Sequence, residues 1–212
     1  MTASMRFTAF DFDASKYEAM LSLDSDRLAA ISGLIGARAV RIQENRLMVV
    51  SAYRSMEDLD AANDAHRSIF ADIGQYMTAQ PLVRSGEIVG TVDGDTPLSD
   101  MGYMRFIRVC FDDSKWDVIR SYMDDNLASA FDGVAGLCRI RIARLREGSI
   151  EGKPAIIAVA SYDNEANAQA GMAVAQKSLA GMAEYMTEEP HVRQGELVWQ
   201  FRSDESFRLE DK

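Results

Sequence analysis

Apolar positions along this chain alternate between two spacings. Residues 6–11 are rich in Phe and Thr and read as a strand, followed by Asp13 and Ser15, both favourable helix N-caps. Over residues 15–32, Tyr17, Met20, Leu21, Leu28 and Ile31 fall on one helical face. Gly33 then stands as the C′ residue, because glycine accepts the left-handed conformation that closes a helix. Residues 38–43 and 47–53 predict a hairpin around Glu44-Asn45, with Leu47, Val49 and Ser51 alternating with Met48, Val50 and Ala52. Ser55 opens a long helix whose stripe runs Leu59, Ala62, His66, Ile69, Phe70, Ile73 and Met77 at spacings of three and four. Pro81 follows its end, and residues 82–92 make the closing strand. The order is βαββαβ.

The same order then repeats. Phe12-Asp13-Ala14-Ser15-Lys16-Tyr17 returns as Phe111-Asp112-Asp113-Ser114-Lys115-Trp116, an offset of 99 (111 − 12). Gly33-Leu34-Ile35-Gly36 matches Gly133-Val134-Ala135-Gly136, and Arg41-Ile42 matches Arg141-Ile142, at an offset of 100. Tyr76-Met77-Thr78, Pro81, Val83-Arg84 and Gly86-Glu87 match Tyr185-Met186-Thr187, Pro190, Val192-Arg193 and Gly195-Glu196 at 109. Ordered matches over almost the whole chain indicate a duplicated and fused unit. The boundaries are a first repeat at 1–92, a linker at 93–103, a second repeat at 104–202 and a charged tail at 203–212. The second repeat carries nine extra residues at its hairpin tip (20 − 11 between matched positions), including residues 146–153, which read as a longer surface loop.

A βαββαβ unit makes an antiparallel four-stranded sheet with both helices on one face, a ferredoxin-like arrangement. Strands 47–53 and 156–160 are apolar on both faces, so the sheet side away from the helices also needs cover. The economical cover is the other repeat's sheet. The expected fold class is therefore α+β: two tandem ferredoxin-like repeats packed sheet-to-sheet as an intramolecular pseudo-dimer. Whole chains are free to form a further homodimer.

Composition narrows the function. A net charge of −10 and a pI near 4.7 argue against nucleic acid and anionic membranes as partners. No apolar run approaches a bilayer span and the start has no signal-peptide pattern, which makes a cytoplasmic protein the expectation. Cys110 and Cys138 both fall in the second repeat and read as reduced, buried thiols. Two histidines and no spaced carboxylate cluster predict no metal site.

The succession of helix, Gly-x-x-Gly, arginine-bearing strand, strand ending Ser/Ala-x-Tyr, helix, then Pro-x-Val-x-x-Gly-Glu-x-Val resembles the dimeric α/β-barrel superfamily. Within it the chain is similar to antibiotic-biosynthesis-monooxygenase-like (ABM-like) domains, over residues 5–92 and 104–200. The resemblance implies a barrel built from one polypeptide. It also implies a cofactor-independent monooxygenase, or related enzyme, on a small aromatic or polyketide-like compound. A small-ligand or protein-binding module without catalysis is the alternative. Haem binding through His66 is a further one, although haem-degrading members carry a first-strand Asn and a second-helix Trp that this chain lacks.

The candidate catalytic residue is His66, an imidazole on the core-facing stripe, suited to acid–base work or ligation. Candidate ligand-binding residues are Tyr53 and Tyr162 at equivalent strand ends, Arg41 and Arg141 as carboxylate clamps, Trp116 and Ser178. A small apolar or aromatic ligand is the expected partner, with no cofactor. Aligning the long helices at 109 sets Ala168 against Leu59, Gly171 against Ala62, Ala175 against His66 and Ser178 against Ile69. The second repeat thereby gains the roomier cleft, unless Trp116, Phe131, Met172 and Val174 refill it.

Overall fold

The structure, a computed structural model, describes residues 2–21, 25–146 and 150–203. In the first repeat, β1 (Ser4–Asp11) leads through a 3-10 turn (Ala14–Lys16) into α1 (Tyr17–Leu21) and α2 (Ser25–Ala29). The hairpin β2 (Leu34–Gln43) and β3 (Arg46–Tyr53) follows, then α3 (Met56–Ala61), α4 (Asn63–Ile73) and β4 (Leu82–Asp93). The second repeat runs β5 (Tyr103–Cys110), α5 (Trp116–Phe131), β6 (Leu137–Leu145) and β7 (Ala155–Tyr162). It closes with α6 (Glu165–Ala170), α7 (Met172–Ala180) and β8 (His191–Arg202).

Each expected strand forms, and the same local chemistry starts the same elements twice. Asp13 and Asp112 accept from the backbone N–H groups of Ser15 and Ser114, each at 3.0 Å. Ser55 caps through the N–H of Asp58 at 3.1 Å, and Asn164 through that of Asn167 at 2.9 Å. Such caps satisfy donors that a helix start leaves open.

β1 lies between β3 and β4, with β2 outside β3; β5, β7, β8 and β6 repeat this pattern, all antiparallel. The full strand order, β1-β3-β2-β8-β5-β7-β6-β4, closes on itself as a barrel. The fold is thus the dimeric α/β barrel built from tandem ferredoxin-like repeats. Contacts divide the chain into two compact units: Met1–Glu87 with Leu197–Lys212, and Ile88–Glu196. The division falls inside β4 and β8. Each unit therefore holds its own three strands, the start of its own last strand, and the end of the other repeat's.

Two expectations are corrected. The long second helix is broken in both repeats, at Ala62 and at Gly171. Of the first helix expected in the first repeat, α1 reaches Leu21 and α2 covers Ser25–Ala29, and residues 22–24 lie outside the described residues. In the second repeat α5 is continuous for 16 residues.

The second concerns the Gly-x-x-Gly match, which is out of register by three residues. The Gly33 carbonyl accepts from the N–H of Arg54, and the Gly136 carbonyl accepts from that of Asp163. Leu34 stands opposite Tyr53, and Leu137 opposite Tyr162. The equivalent glycine of Gly33 is therefore Gly136, at 103 rather than 100 (136 − 33), with φ of 76° and 69°. Gly133 also has a positive φ, 65°, and closes α5. Of the hairpin insertion, residues 147–149 lie outside the described residues, as do 204–212 of the tail.

Candidate functional site

Each unit has a cavity between its helices and the sheet. The first unit's measures about 140 Å³ and the second's about 70 Å³, against the roughly 10–15 Å³ that one water needs. The roomier cleft is thus in the first repeat, opposite to the expectation from the helices. The reason lies on the sheet. Ala37 and Ala39 of β2 line the first cavity, whereas Ile140 and Ile142 occupy the equivalent places on β6. Tyr122 adds to the filling, reaching across to the Ser178 carbonyl at 3.2 Å.

Trp199 completes the first cavity. It sits on β8, within the part of that strand belonging to the first unit. Its counterpart at 109 is Gly90, where any Cβ would meet Ile142 at 3.7 Å. Trp199 with Ala39 in the wall of the first cavity thus answers Gly90 with Ile142 in the second unit.

His66 projects from α4 into this cavity and is 4% exposed. Tyr53, at the end of β3, is fully buried, and its hydroxyl meets Nε2 of His66 in a short hydrogen bond, with the rings edge-on at 6.0 Å. Burial, helped by the nearby Arg6 guanidinium, pushes the imidazole down to about 4. Burial pushes the Tyr53 phenol up to about 12, with Arg6 opposing. Across the neutral range the phenol is therefore the donor and Nε2 the acceptor, which assigns the imidazole hydrogen to Nδ1. Arg6, on β1, donates to Oδ1 of Asn63 at 2.7 Å. The rest of the wall is chiefly aromatic and aliphatic, with Ser51 buried on the sheet and the Arg27–Asp72 ion pair also lining the cavity.

The second unit keeps two of these three groups. Arg105 corresponds to Arg6 and Tyr162 to Tyr53, but Ala175 replaces His66. The Tyr162 hydroxyl lies over Gly171, where a Cβ would stand 2.7 Å from it, and it has no hydrogen-bond partner. Tyr162 and Ser178 both line the second cavity.

The other candidates lie elsewhere. Trp116 stacks on Phe111 at 5.5 Å under the Arg144 guanidinium, 4.3 Å away, and lines neither cavity. Arg41 does the same over Tyr17 at 4.3 Å while donating to the Glu44 carbonyl at 2.7 Å. Its guanidinium is thus held over the Tyr17 ring and by the Glu44 carbonyl, and Arg41 is not part of the cavity wall. Arg141 is not its equivalent: Arg141 stands opposite Val159 as Arg38 does opposite Val50, while Arg144 and Arg41 stand opposite Ile156 and Leu47. Arg141 lines neither cavity.

Sequence reasoning missed Arg6, Arg105 and Trp199. Met5-Arg6-Phe7 returns as Met104-Arg105-Phe106 at 99, a signal that was there to be read.

Haem does not fit at His66, because Nε2 is already engaged by a fully buried phenol and the ring is buried among core side chains. Among the described residues no group of three or more His, Cys, Asp or Glu is placed to hold a metal, and no helix is long and apolar enough to cross a membrane. Cys110 and Cys138 are buried thiols not joined in a disulfide.

No family model matches the chain, and no curated protein matches it. Solved structures do. An anthrone oxidase-like protein superposes with a TM-score of 0.70 at 14% identity, over 97% of this chain and 95% of that one. A "putative monooxygenase from Lactobacillus acidophilus NCFM" gives 0.72 at 10%, over 95% and 97%. A mutant chlorite dismutase from Candidatus Nitrospira defluvii gives 0.63 at 10%, over 94% and 93%. At these identities the likeness establishes the shared fold.

Proposed function

We propose that the first-unit cavity binds a small aromatic or polyketide-like compound and that His66 assists its oxygenation without a cofactor. The observation that carries this is a buried, neutral imidazole on the wall of an apolar cavity, its tautomer fixed by Tyr53. An imidazole held near 4 is a poor base at neutral pH but a good neutral donor. Its Nδ1–H would hydrogen-bond a substrate carbonyl oxygen and stabilise the enolate formed there. Tyr53, behind the ring, acts as a positioning residue.

An activated CH2 between aromatic rings, as in anthrone, suits this arrangement. Asp72, which also lines the cavity, takes the carbon-bound proton. The enolate carbon then reduces O2 and bonds to it, and the resulting hydroperoxide loses water. The balance is CH2 + O2 → C=O + H2O, with oxygen as the oxidant. The fold shared with an anthrone oxidase-like protein and a "putative monooxygenase" supports the reading.

The test is anthrone in air-saturated buffer, followed by anthraquinone absorbance and oxygen uptake. Acceleration over buffer that falls about 10²-fold in His66→Ala is expected, the usual cost of one oxyanion donor. Absence of acceleration by the wild-type chain overturns the proposal. The alternative, ligand binding without turnover, draws on the same engaged Nε2 and predicts saturable binding with no oxygen uptake.

A further inference from the structure

Arg105 is 1% exposed, yet among the described residues no carboxylate pairs with it. Its Nε donates to Oε1 of Gln194 at 2.9 Å and its Nη2 to the Ala168 carbonyl at 2.5 Å, both neutral acceptors. Nη1 has no partner. The Tyr162 hydroxyl, also buried, has none in hydrogen-bond geometry either; the Arg105 charge beside it opposes the upward push of burial on the phenol, and its ring centroid lies 5.8 Å from the guanidinium carbon. Both side chains line the second-unit cavity. A buried, uncompensated cation is costly, and unsatisfied buried donors add to that cost. Residues 105, 107 and 109 of β5 put Arg105, Ile107 and Val109 on the same cavity wall, so the charge stands at the end of an otherwise aliphatic surface.

We propose that the second-unit cavity is a binding site for a small monocarboxylate with an apolar body, a compound of the benzoate class. One carboxylate oxygen takes Nη1 of Arg105 and the other the Tyr162 hydroxyl, while the body lies against Ile107, Ile142 and Ala175. A planar two-oxygen anion matches two separate donors, and the guanidinium supplies the charge that a neutral ligand would leave unpaired. The half-buried Ser178 and the exposed Asn126 mark where the cavity meets solvent. This site differs in chemistry from the first-unit cavity and does not depend on any oxygenation there.

The test is calorimetric titration of the full chain with benzoate and, separately, with the uncharged isostere benzamide. Benzoate is expected to bind saturably at one site and at least tenfold more tightly than benzamide. Arg105→Gln should weaken benzoate at least tenfold. Ala175→Leu keeps the arginine but fills the cavity, and should do the same. Ala39→Ile, which narrows the first-unit cavity, should leave benzoate affinity as it was. Equal affinity for benzoate and benzamide in the wild-type chain overturns the proposal without recourse to any variant. Undiminished benzoate binding in folded Ala175→Leu overturns it too, as does binding lost in Ala39→Ile.

Discussion

The Tyr53 hydroxyl is bonded to Nε2 of His66, while its counterpart Tyr162 faces Gly171 with no imidazole in reach. One repeat thus keeps a polar pair that the other has replaced with Ala175. Tyr53 holds His66 in one tautomer, while burial, helped by Arg6, holds it neutral, and that burial has a measurable consequence for stability.

A histidine in the unfolded chain titrates near 6.5, whereas His66 is pushed down to about 4. The folded pKa is the lower one, so below about pH 6.5 the unfolded state binds the proton first. Stability from this group is full above pH 6.5 and lost as the pH falls through 4. The difference corresponds to about 3 kcal/mol. Urea melts at pH 7 and pH 4.5 should show wild type losing clearly more stability than His66→Gln, since carboxylate effects cancel between them. Parallel losses would show that His66 titrates normally.

Tyr53→Phe separates burial from hydrogen bonding. Burial is the larger cause of the low imidazole pKa, so His66 should still titrate well below 6 in the variant, as followed by histidine NMR. The variant should lose about 1–3 kcal/mol, because Nε2 is left buried without its donor. A pKa returning to 6.5 would make the phenol, not burial, the cause.

The glycines should rank by what surrounds them. Gly33 and Gly136 have positive φ, and a Cβ at either would run into side chains, Asp58 at the first and Asn167 with Asp163 at the second. Gly133 has positive φ but open space. Gly→Ala at Gly133 should cost about 1 kcal/mol, and at the other two clearly more. Equal melting temperatures for all three variants would contradict the revised register.

Much of the fold was legible because strand alternation, caps and the repeat pointed the same way. Asp13 and Asp112, or Tyr53 and Tyr162, fall in equivalent places by sequence and by structure. The cavity was less legible. Its size depends on Ala37 and Ala39 facing Trp199 from the end of β8, a strand assigned by sequence to the other repeat. The change from His66 to Ala175 on the helix implies space that Ile140 and Ile142 fill from the sheet. Arg41 and Arg141 were paired by a three-residue misalignment, because α5 extends further before β6 than α2 does before β2. Arg6 and Arg105 are not legible as site residues, because a strand arginine beside Phe reads as ordinary surface alternation.

Fusion of the repeats can be tested by cutting them apart. Residues 1–93 alone would leave β2 without β8 and β4 without β6. Open strand edges pair with other chains. The fragment should associate in light scattering, and a stable, non-associating monomer would contradict a barrel closed within one chain.

The central claim is that the His66 imidazole itself supplies chemistry in the first-unit cavity, and chemical rescue tests it most directly. His66→Ala, verified as folded, is assayed for anthrone-dependent oxygen uptake with and without added imidazole. The expected result is a loss of about 10²-fold, partly restored and saturating with imidazole. An undiminished rate in the variant, or a lost rate that imidazole leaves unchanged, would contradict the claim.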